Sequence, residues 1–154
     1  MLQSLLAPHA RSISVPSGAI HALPGHDFAD AYAIAAPDGL GAPAVVDRMF
    51  KAMPGWASAL MQLRNRLAMV VGLKPAPVSG FPILSQSPTQ VILGFNDRHL
   101  DFRIVVLVGE GMASITTLVQ RHNWAGRAYL AAVMPFHRLI APSALSRLSG
   151  RKTD

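Results

Sequence analysis

The order of patterns along the chain predicts an α+β protein in which a curved antiparallel β-sheet wraps around a long C-terminal helix. Three observations lead to this class: a strand-like alternation near the start, two helical stripes after it, and short strand-like runs before a last helical segment. Layers of this kind can leave a cavity between the sheet and the helix. With 154 residues, 51% of them hydrophobic, we expect a lead segment over residues 1–25 and one domain over residues 26–150.

The first strand is predicted at residues 27–34, where large side chains alternate with alanines. A first amphipathic helix begins near Pro43, which suits an opening helical turn, and ends before Pro54. A second helix is predicted from Trp56 to a C-terminal cap at Gly72. The apolar residues of both helices recur on one face, which indicates core packing and not a cofactor site.

Four short runs of apolar or alternating residues predict an antiparallel meander, in which consecutive strands are joined by hairpins. The predicted strands are 81–86, 89–95, 98–108 and 112–121. Turn residues separate them, namely Ser87-Pro88, Asn96-Asp97 and Gly109-Glu110-Gly111. The second half of the chain therefore supplies most of the sheet.

The last helix is predicted from Trp124 to about Leu148, with Asn123 as its N-cap. Pro135 and Pro142 lie inside this segment, and each removes a backbone donor. We therefore expect a kink or a break in the helix.

The hairpin turns decide which side chains share a face of the sheet. Two-residue turns at Asn96-Asp97 and Glu110-Gly111 predict the pairs Leu93 with Leu100, Val91 with Phe102, Val108 with Ala113, Val106 with Ile115, and Phe102 with Val119. An apolar inner face then looks toward the last helix. The opposite, outer face carries a polar cluster of His99, Asp101, Arg103, Gln120 and His122. A slip of one residue would exchange the two faces.

The outer polar cluster has two interpretations. In the first, Asp101 orients a histidine as a general base and Arg103 holds an anionic substrate group, or the histidines and the carboxylate bind a metal weakly. In the second, the residues form a solvated or interface-facing ladder. The second is favoured because the convex side of a sheet offers few walls to a site, and perturbed groups need burial.

Three apolar residues share this outer face, namely Val105, Leu107 and Leu118. They predict that part of the face is covered, and a homodimer contact is the simplest cover.

Candidate ligand-binding residues lie on the inner side and are Arg121, Tyr129, His137, Tyr32, Leu100 and Phe102. Arg121 reaches the cavity mouth in this reading and holds an anionic group. Ordinary structural roles are favoured for each polar member: Tyr129 packs with its hydroxyl hydrogen-bonded, His137 donates to a carbonyl, and Arg121 pairs with Asp101 or Asp97.

The net charge of +6 is spread along the chain and no nucleic-acid-binding motif accompanies it, so we interpret it as a contribution to solubility. Cysteine is absent, which excludes thiol chemistry. Phosphate-binding glycine loops and paired zinc histidines are also absent, so we expect no cofactor and no metal. The segment "MLQSLLAPHARS" makes a poor secretory signal, and no apolar run approaches the roughly 18 residues of a membrane span. A soluble cytoplasmic protein is expected.

Several short motifs carry a family resemblance. "LGFNDRHLDFRIVVLV" and "TTLVQRHNWAGRAYLAAVMPFHRLI", with "DFADAY" and "GFPIL" before them, resemble the bacterial family DUF2867 over residues 26–145. That family is similar to the START-like, helix-grip (SRPBCC) superfamily of lipid-transfer, plant-allergen and polyketide-cyclase-like proteins. The resemblance implies a helix-grip fold and a cavity, and it implies no particular reaction.

Pattern and resemblance together predict a protein that binds a small hydrophobic or amphipathic molecule between the sheet and the last helix. Two alternatives stay open. One is a cavity enzyme of cyclase or hydratase type that uses histidine, tyrosine and arginine. The other is a homodimeric interaction module without a ligand.

Overall fold

The computed structural model describes residues 10–36, 39–51, 62, 65, 66, 69, 70, 82–96 and 98–146, and in them six strands form one antiparallel sheet. The strands are β1 (Arg11–Ser12), β2 (Phe28–Ala35), β3 (Ile83–Gln86), β4 (Gln90–Asn96), β5 (Leu100–Gly109) and β6 (Met112–Arg121). Their order across the sheet is β1-β2-β6-β5-β4-β3. The described helices are α1 (Ser17–Ile20), α2 (Ala42–Lys51) and α3 (Trp124–Ser146). The predicted α+β class and the antiparallel meander are confirmed.

The first strand and the first amphipathic helix each lie within two residues of their predicted bounds. The helix predicted from Trp56 to Gly72 lies outside the described residues, apart from five single positions that are helical. Helix α3 contains both Pro135 and Pro142 within its range. Its end is tied to the start of the described chain, because the Ala10 N–H donates to Ser146 Oγ at 3.1 Å.

The β5–β6 hairpin has the predicted register. Val108 pairs with Ala113 and Phe102 pairs with Val119. The two turn residues, Glu110 and Gly111, have φ angles of 53° and 73°. Positive φ at both central positions is typical of the type I′ turn, whose twist matches that of the flanking strands.

The β4–β5 pairs predicted from a two-residue turn are wrong. Leu93 pairs with Ile104 and not with Leu100, a displacement of four positions. The connection between the strands is longer than a two-residue turn, because the pair nearest the turn is Asn96 with Asp101 and not Phe95 with Arg98. A displacement by an even number keeps every side chain on its predicted face.

Two apolar clusters fill the inner face, which packs against α2 and α3. One surrounds α2 and the end of α3 and contains Ile34, Val45, Met49, Val91, Leu93, Ile104, Val106, Ile115 and Leu145. The second lies under the first half of α3 and contains Leu100, Val119, Tyr129 and Leu130, with Phe28, Phe102 and Met134 packed against it. Phe102 contacts both clusters and therefore joins them into one inner layer.

The outer face is covered by the lead segment of the same chain. Ala19 of α1 and Leu23 pack on Val105 and Leu118, and all four side chains are buried. Leu107 packs against the edge of this cluster. The sequence predicted that a second copy of the chain packs on these apolar residues. In the structure α1 and Leu23 of the same chain pack on them. Because β1 also pairs with β2, the described part of the lead segment contacts the sheet twice.

Candidate functional site

A carboxylate and a histidine meet on the inner face of the sheet. Asp30 lies on β2 between Phe28 and Tyr32 in the inward-facing alternation, and its carboxylate oxygens lie 3.0 and 3.2 Å from His137 Nε2 on α3. The side chains of His137 and Asp30 are 19% and 21% exposed. The pair is therefore largely, but not completely, shielded from solvent.

The direction of this hydrogen bond decides the chemistry of the imidazole. A carboxylate accepts hydrogen bonds, so His137 Nε2 carries the proton. In the neutral ring Nδ1 is then the basic nitrogen, held in orientation by Asp30. The arrangement can orient a proton acceptor or a hydrogen-bonding group toward a ligand.

Tyr32 adds a hydroxyl beside this pair. Burial raises the pKa of Tyr32 above its ordinary value of 10.0, the Asp30 carboxylate raises it further, and the Arg138 guanidinium opposes both effects. The phenol is therefore a neutral hydrogen-bond donor across the physiological range. Thr117 pairs directly with Asp30 across the strands and is buried. We name Asp30, Tyr32, Thr117 and His137 the inner polar site.

The apolar cluster under α3 continues directly into the inner polar site. Phe28 is the inward-facing neighbour of Asp30 on β2, and Met134 lies one helical turn before His137 on α3. Both residues pack against the cluster that contains two predicted ligand-binding residues, Leu100 and Tyr129, and a third, Phe102, packs against the same cluster. Leu100 and Tyr129 are buried core residues, whereas Phe102 is half-buried. Polar and apolar surfaces thus follow one another along the same helix.

The structure places Arg121 in an ion pair with Asp27. Its Nε lies 3.0 Å from Asp27 Oδ2, its backbone N–H donates to Oδ1 at 3.2 Å, and an Nη atom donates to the Asp27 carbonyl at 3.4 Å. The sequence predicted that Arg121 pairs with Asp101 or Asp97, and this is wrong: its partner is Asp27. The Arg121 guanidinium is therefore bound to Asp27, the residue directly before β2.

The outer polar cluster divides into local contacts. Asp101 binds His122 at 3.1 Å, His99 binds Asn123, and Arg103 donates to the carbonyl oxygens of Phe95 and Phe102. Gln120 pairs with Asp101 across the strands. These residues lie on the face opposite α3, as the alternation predicted.

Sequence reasoning missed Asp30, Thr117 and the position of Arg138. Asp30 could have been found, because it is the acidic residue at an inward-facing position of the alternating "DFADAYAI". An acid on an apolar face needs a partner, and His137 is that partner. Which residue becomes the partner of Asp30 depends on the path of α3 across the sheet.

Within the described part of the chain, no group of three or more histidines and carboxylates could hold a metal ion. None of the helices described here has the length and apolar character needed to cross a membrane.

Fold and site define an α+β protein in whose described part an antiparallel sheet carries a carboxylate–histidine pair beneath helix α3. The chain belongs to the family DUF2867, described as proteins of unknown function, whose model matches residues 22–144. The resemblance predicted from the sequence motifs is confirmed at the level of this family. No curated protein and no solved structure matches the chain.

Proposed function

We propose that the protein binds a small amphipathic molecule between the inner face of the sheet and α3, in a helix-grip arrangement. The ligand's polar group lies at the inner polar site, and its apolar part lies along the cluster under α3, against which Phe102 packs. The observation that supports this proposal is the Asp30–His137 pair, which is partly exposed and lies next to the apolar cluster under α3.

The desolvation cost of the Asp30–His137 pair is an argument that the pair has a role beyond folding. Taking a carboxylate and an imidazole out of water is costly, and well-packed apolar side chains of similar volume often stabilise a protein equally well or better. If Asp30 and His137 only stabilised the fold, they would have little advantage over apolar side chains of similar volume at these positions. Polar groups converging on an apolar wall supply the orientation and affinity that small-molecule sites require.

The hydrogen-bonding capacity of the site indicates the chemistry of the ligand. Asp30 accepts, Tyr32 donates, and His137 offers a basic nitrogen, so a hydroxyl or carbonyl group on the ligand has matching partners. The ligand class is a largely apolar molecule with such a group at one end.

The outer face offers a matched control for a direct test. Asp30–His137 and Asp101–His122 are both carboxylate–histidine pairs at about the same distance, 3.0 and 3.1 Å, but on opposite faces. Protein purified without detergent is examined by native mass spectrometry, and an amphipathic fluorescent probe, anilinonaphthalene sulfonate, is titrated into it.

We expect a retained small molecule or saturable probe fluorescence in the wild type. Asp30→Asn and His137→Gln should weaken probe binding several-fold, whereas Asp101→Asn and His122→Gln should leave it unchanged. A protein that carries nothing and binds no probe, or one equally affected by both pairs of variants, overturns the proposal. The same mass spectra report the oligomeric state.

A second candidate function is a cavity enzyme of cyclase or hydratase type, favoured by the position of both Asp30 oxygens within 3.2 Å of one imidazole nitrogen. Asp30 would orient His137 as the general base, and Tyr32 would act as the acid. The test incubates the molecule recovered from the protein with wild type and with His137→Gln. Conversion by the wild type alone supports catalysis, and recovery of unchanged molecule from both supports a carrier.

A further inference from the structure

The solvent face of α3 carries large apolar side chains in full contact with water. Trp124 is 77% exposed and Leu139 is 63% exposed. Among the helix residues whose side chains are described, the other exposed ones are Arg127, Ala128, Ala131, Ala132, Pro135 and Arg138. What indicates an interaction surface is exposed apolar surface that is contiguous along the helix.

The spacing places these residues in one stripe. Positions 124, 128, 131, 135 and 139 follow one another at intervals of three or four, which is one face of a helix. The opposite face is occupied, because Ala125, Tyr129 and Leu130 are buried against the sheet. The stripe is thus the face that the sheet leaves uncovered.

The charged side chains on the exposed face of α3 are all positive among the residues described. Helix α3 contains no aspartate or glutamate between Trp124 and Ser146, and its two exposed arginines, Arg127 and Arg138, border the stripe. The whole chain carries a formal charge of +6. Exposed tryptophan and leucine side chains favour the lipid boundary, and arginine side chains favour contact with anionic headgroups.

A second copy of the chain fits this surface less well. A symmetric contact through α3 would bring its arginines toward those of the partner, with no acidic residue on the helix to balance them. Charge complementarity therefore favours an anionic surface over self-association.

We infer that the exposed face of α3, namely Trp124, Arg127, Ala128, Ala131, Pro135, Arg138 and Leu139, docks on the surface of membranes that contain anionic phospholipid. The helix lies in the plane of the interface and does not cross it. Arg138 also lies near Tyr32 of the inner polar site, whereas Trp124, Arg127 and Leu139, the residues that the test changes, do not belong to that site. The inference therefore does not rest on the proposed function.

The test is flotation of the full chain with vesicles of phosphatidylcholine, with or without phosphatidylglycerol. We expect binding to the anionic vesicles, release at high salt, and little binding to phosphatidylcholine alone. Arg127→Ala should lower the partition coefficient about five-fold. The double change Trp124→Ala with Leu139→Ala should lower it on the order of ten-fold or more.

Matched controls lie elsewhere on the surface. Ile83→Ala with Leu84→Ala removes two apolar side chains that are 55% and 51% exposed on β3, and Arg48→Ala removes an exposed arginine of α2. Neither control should change flotation. Circular dichroism verifies that each variant is folded, and Leu139→Ser provides a second probe of the stripe if the double variant unfolds.

A fluorescence readout reports contact directly. The chain has two tryptophans, so in a Trp56→Phe protein the emission comes from Trp124 and should shift to shorter wavelength with anionic vesicles. Absence of vesicle binding overturns the inference, as does binding that the α3 variants and the controls weaken equally. Sedimentation velocity that shows a dimer dissociated by the Trp124 and Leu139 changes would assign the face to a second copy instead.

Discussion

Gly94 is the residue at which backbone conformation most constrains the sheet. It lies in β4 opposite Arg103 with a φ of 152°, and an added Cβ would collide with the Phe102 carbonyl oxygen. We expect Gly94→Ala to lower the free energy of unfolding by about 2–3 kcal/mol, measured by urea titration. Gly109→Ala is the control, since a Cβ there meets no atom within 4 Å, and it should be nearly neutral. Equal effects of the two changes would contradict this account.

Tyr32 reports the electrostatics of the inner polar site. Burial and the Asp30 carboxylate raise its pKa above 10.0, and Arg138 lowers it. In a Tyr129→Phe background Tyr32 is the remaining tyrosine, and its tyrosinate absorbance should appear at higher pH than in a free tyrosine. Asp30→Asn should move the titration to lower pH and Arg138→Ala to higher pH. Asp101→Asn, on the outer face, should not move it.

The same shift makes stability depend on alkaline pH. Below pH 10 the phenol is protonated in both the folded and the unfolded chain, so Tyr32 adds no slope. As the pH rises through 10.0 the unfolded chain loses the proton first, and the folded state loses stability until its own, higher pKa is passed. Urea midpoints measured across this window should fall with pH in the wild type and fall less in Tyr32→Phe. Identical slopes would show that Tyr32 is not the group responsible.

At the scale of an element, the start of α3 depends on one side chain. Asn123 Oδ1 accepts the Gly126 N–H at 3.1 Å, which is the predicted N-cap, and Asn123 Nδ2 donates to His99 Nδ1 at 2.9 Å. Gly126 also permits close packing, because a Cβ there would collide with the His99 carbonyl oxygen. The turn before β5 and the first turn of α3 therefore form one unit.

We expect Asn123→Ala to lower the free energy of unfolding by about 1 kcal/mol, because a helix N–H loses its acceptor. Asn123→Ser keeps a capping oxygen and should recover most of that loss, although it cannot reach His99 in the same way. Thermal unfolding followed by circular dichroism measures both variants. If serine destabilises as much as alanine, the contact with His99 and not the cap is the important interaction.

At the scale of the whole molecule, the chain covers both faces of its own sheet. Helices α2 and α3 lie on the inner face, and α1 with Leu23 lies on the outer face. The described part of the lead segment is therefore part of the packed structure, and it buries Val105 and Leu118 of the outer face.

Leu23→Ala tests this cover. Leu23 is buried against Val105 and Leu118, so its truncation should cost about 2–4 kcal/mol in urea unfolding. Ile20→Ala, three residues earlier and 38% exposed, should cost clearly less. A Leu23→Asp protein should expose the outer face and associate as its concentration rises, which sedimentation velocity detects. Equal costs for the two alanine variants would mean that Leu23 is not an anchor.

Local patterns were sufficient for much of the fold and for part of the site. Alternation located β2, helical spacing located α2 and α3, and the Glu110-Gly111 turn set the β5–β6 register, because each depends on residues close together in the chain. Alternation also assigned Leu100 and Phe102 to the inner face and His99 and Asp101 to the outer face. That assignment survived the wrong β4–β5 pairs because the displacement was even.

The sequence by itself therefore determined the α+β class, the family, and the face on which the residues of β4, β5 and β6 lie. Only the tertiary structure decided which residues meet. Asp30 and His137 are separated by 107 positions, and their contact depends on how α3 crosses the sheet. The lead segment's place on the outer face is equally non-local, since either a second copy or the chain itself can bury Val105 and Leu118. The spacing of apolar residues shows which face of a helix or strand is buried. The hydrophobic effect is non-directional, however, so it does not determine which segment covers that face.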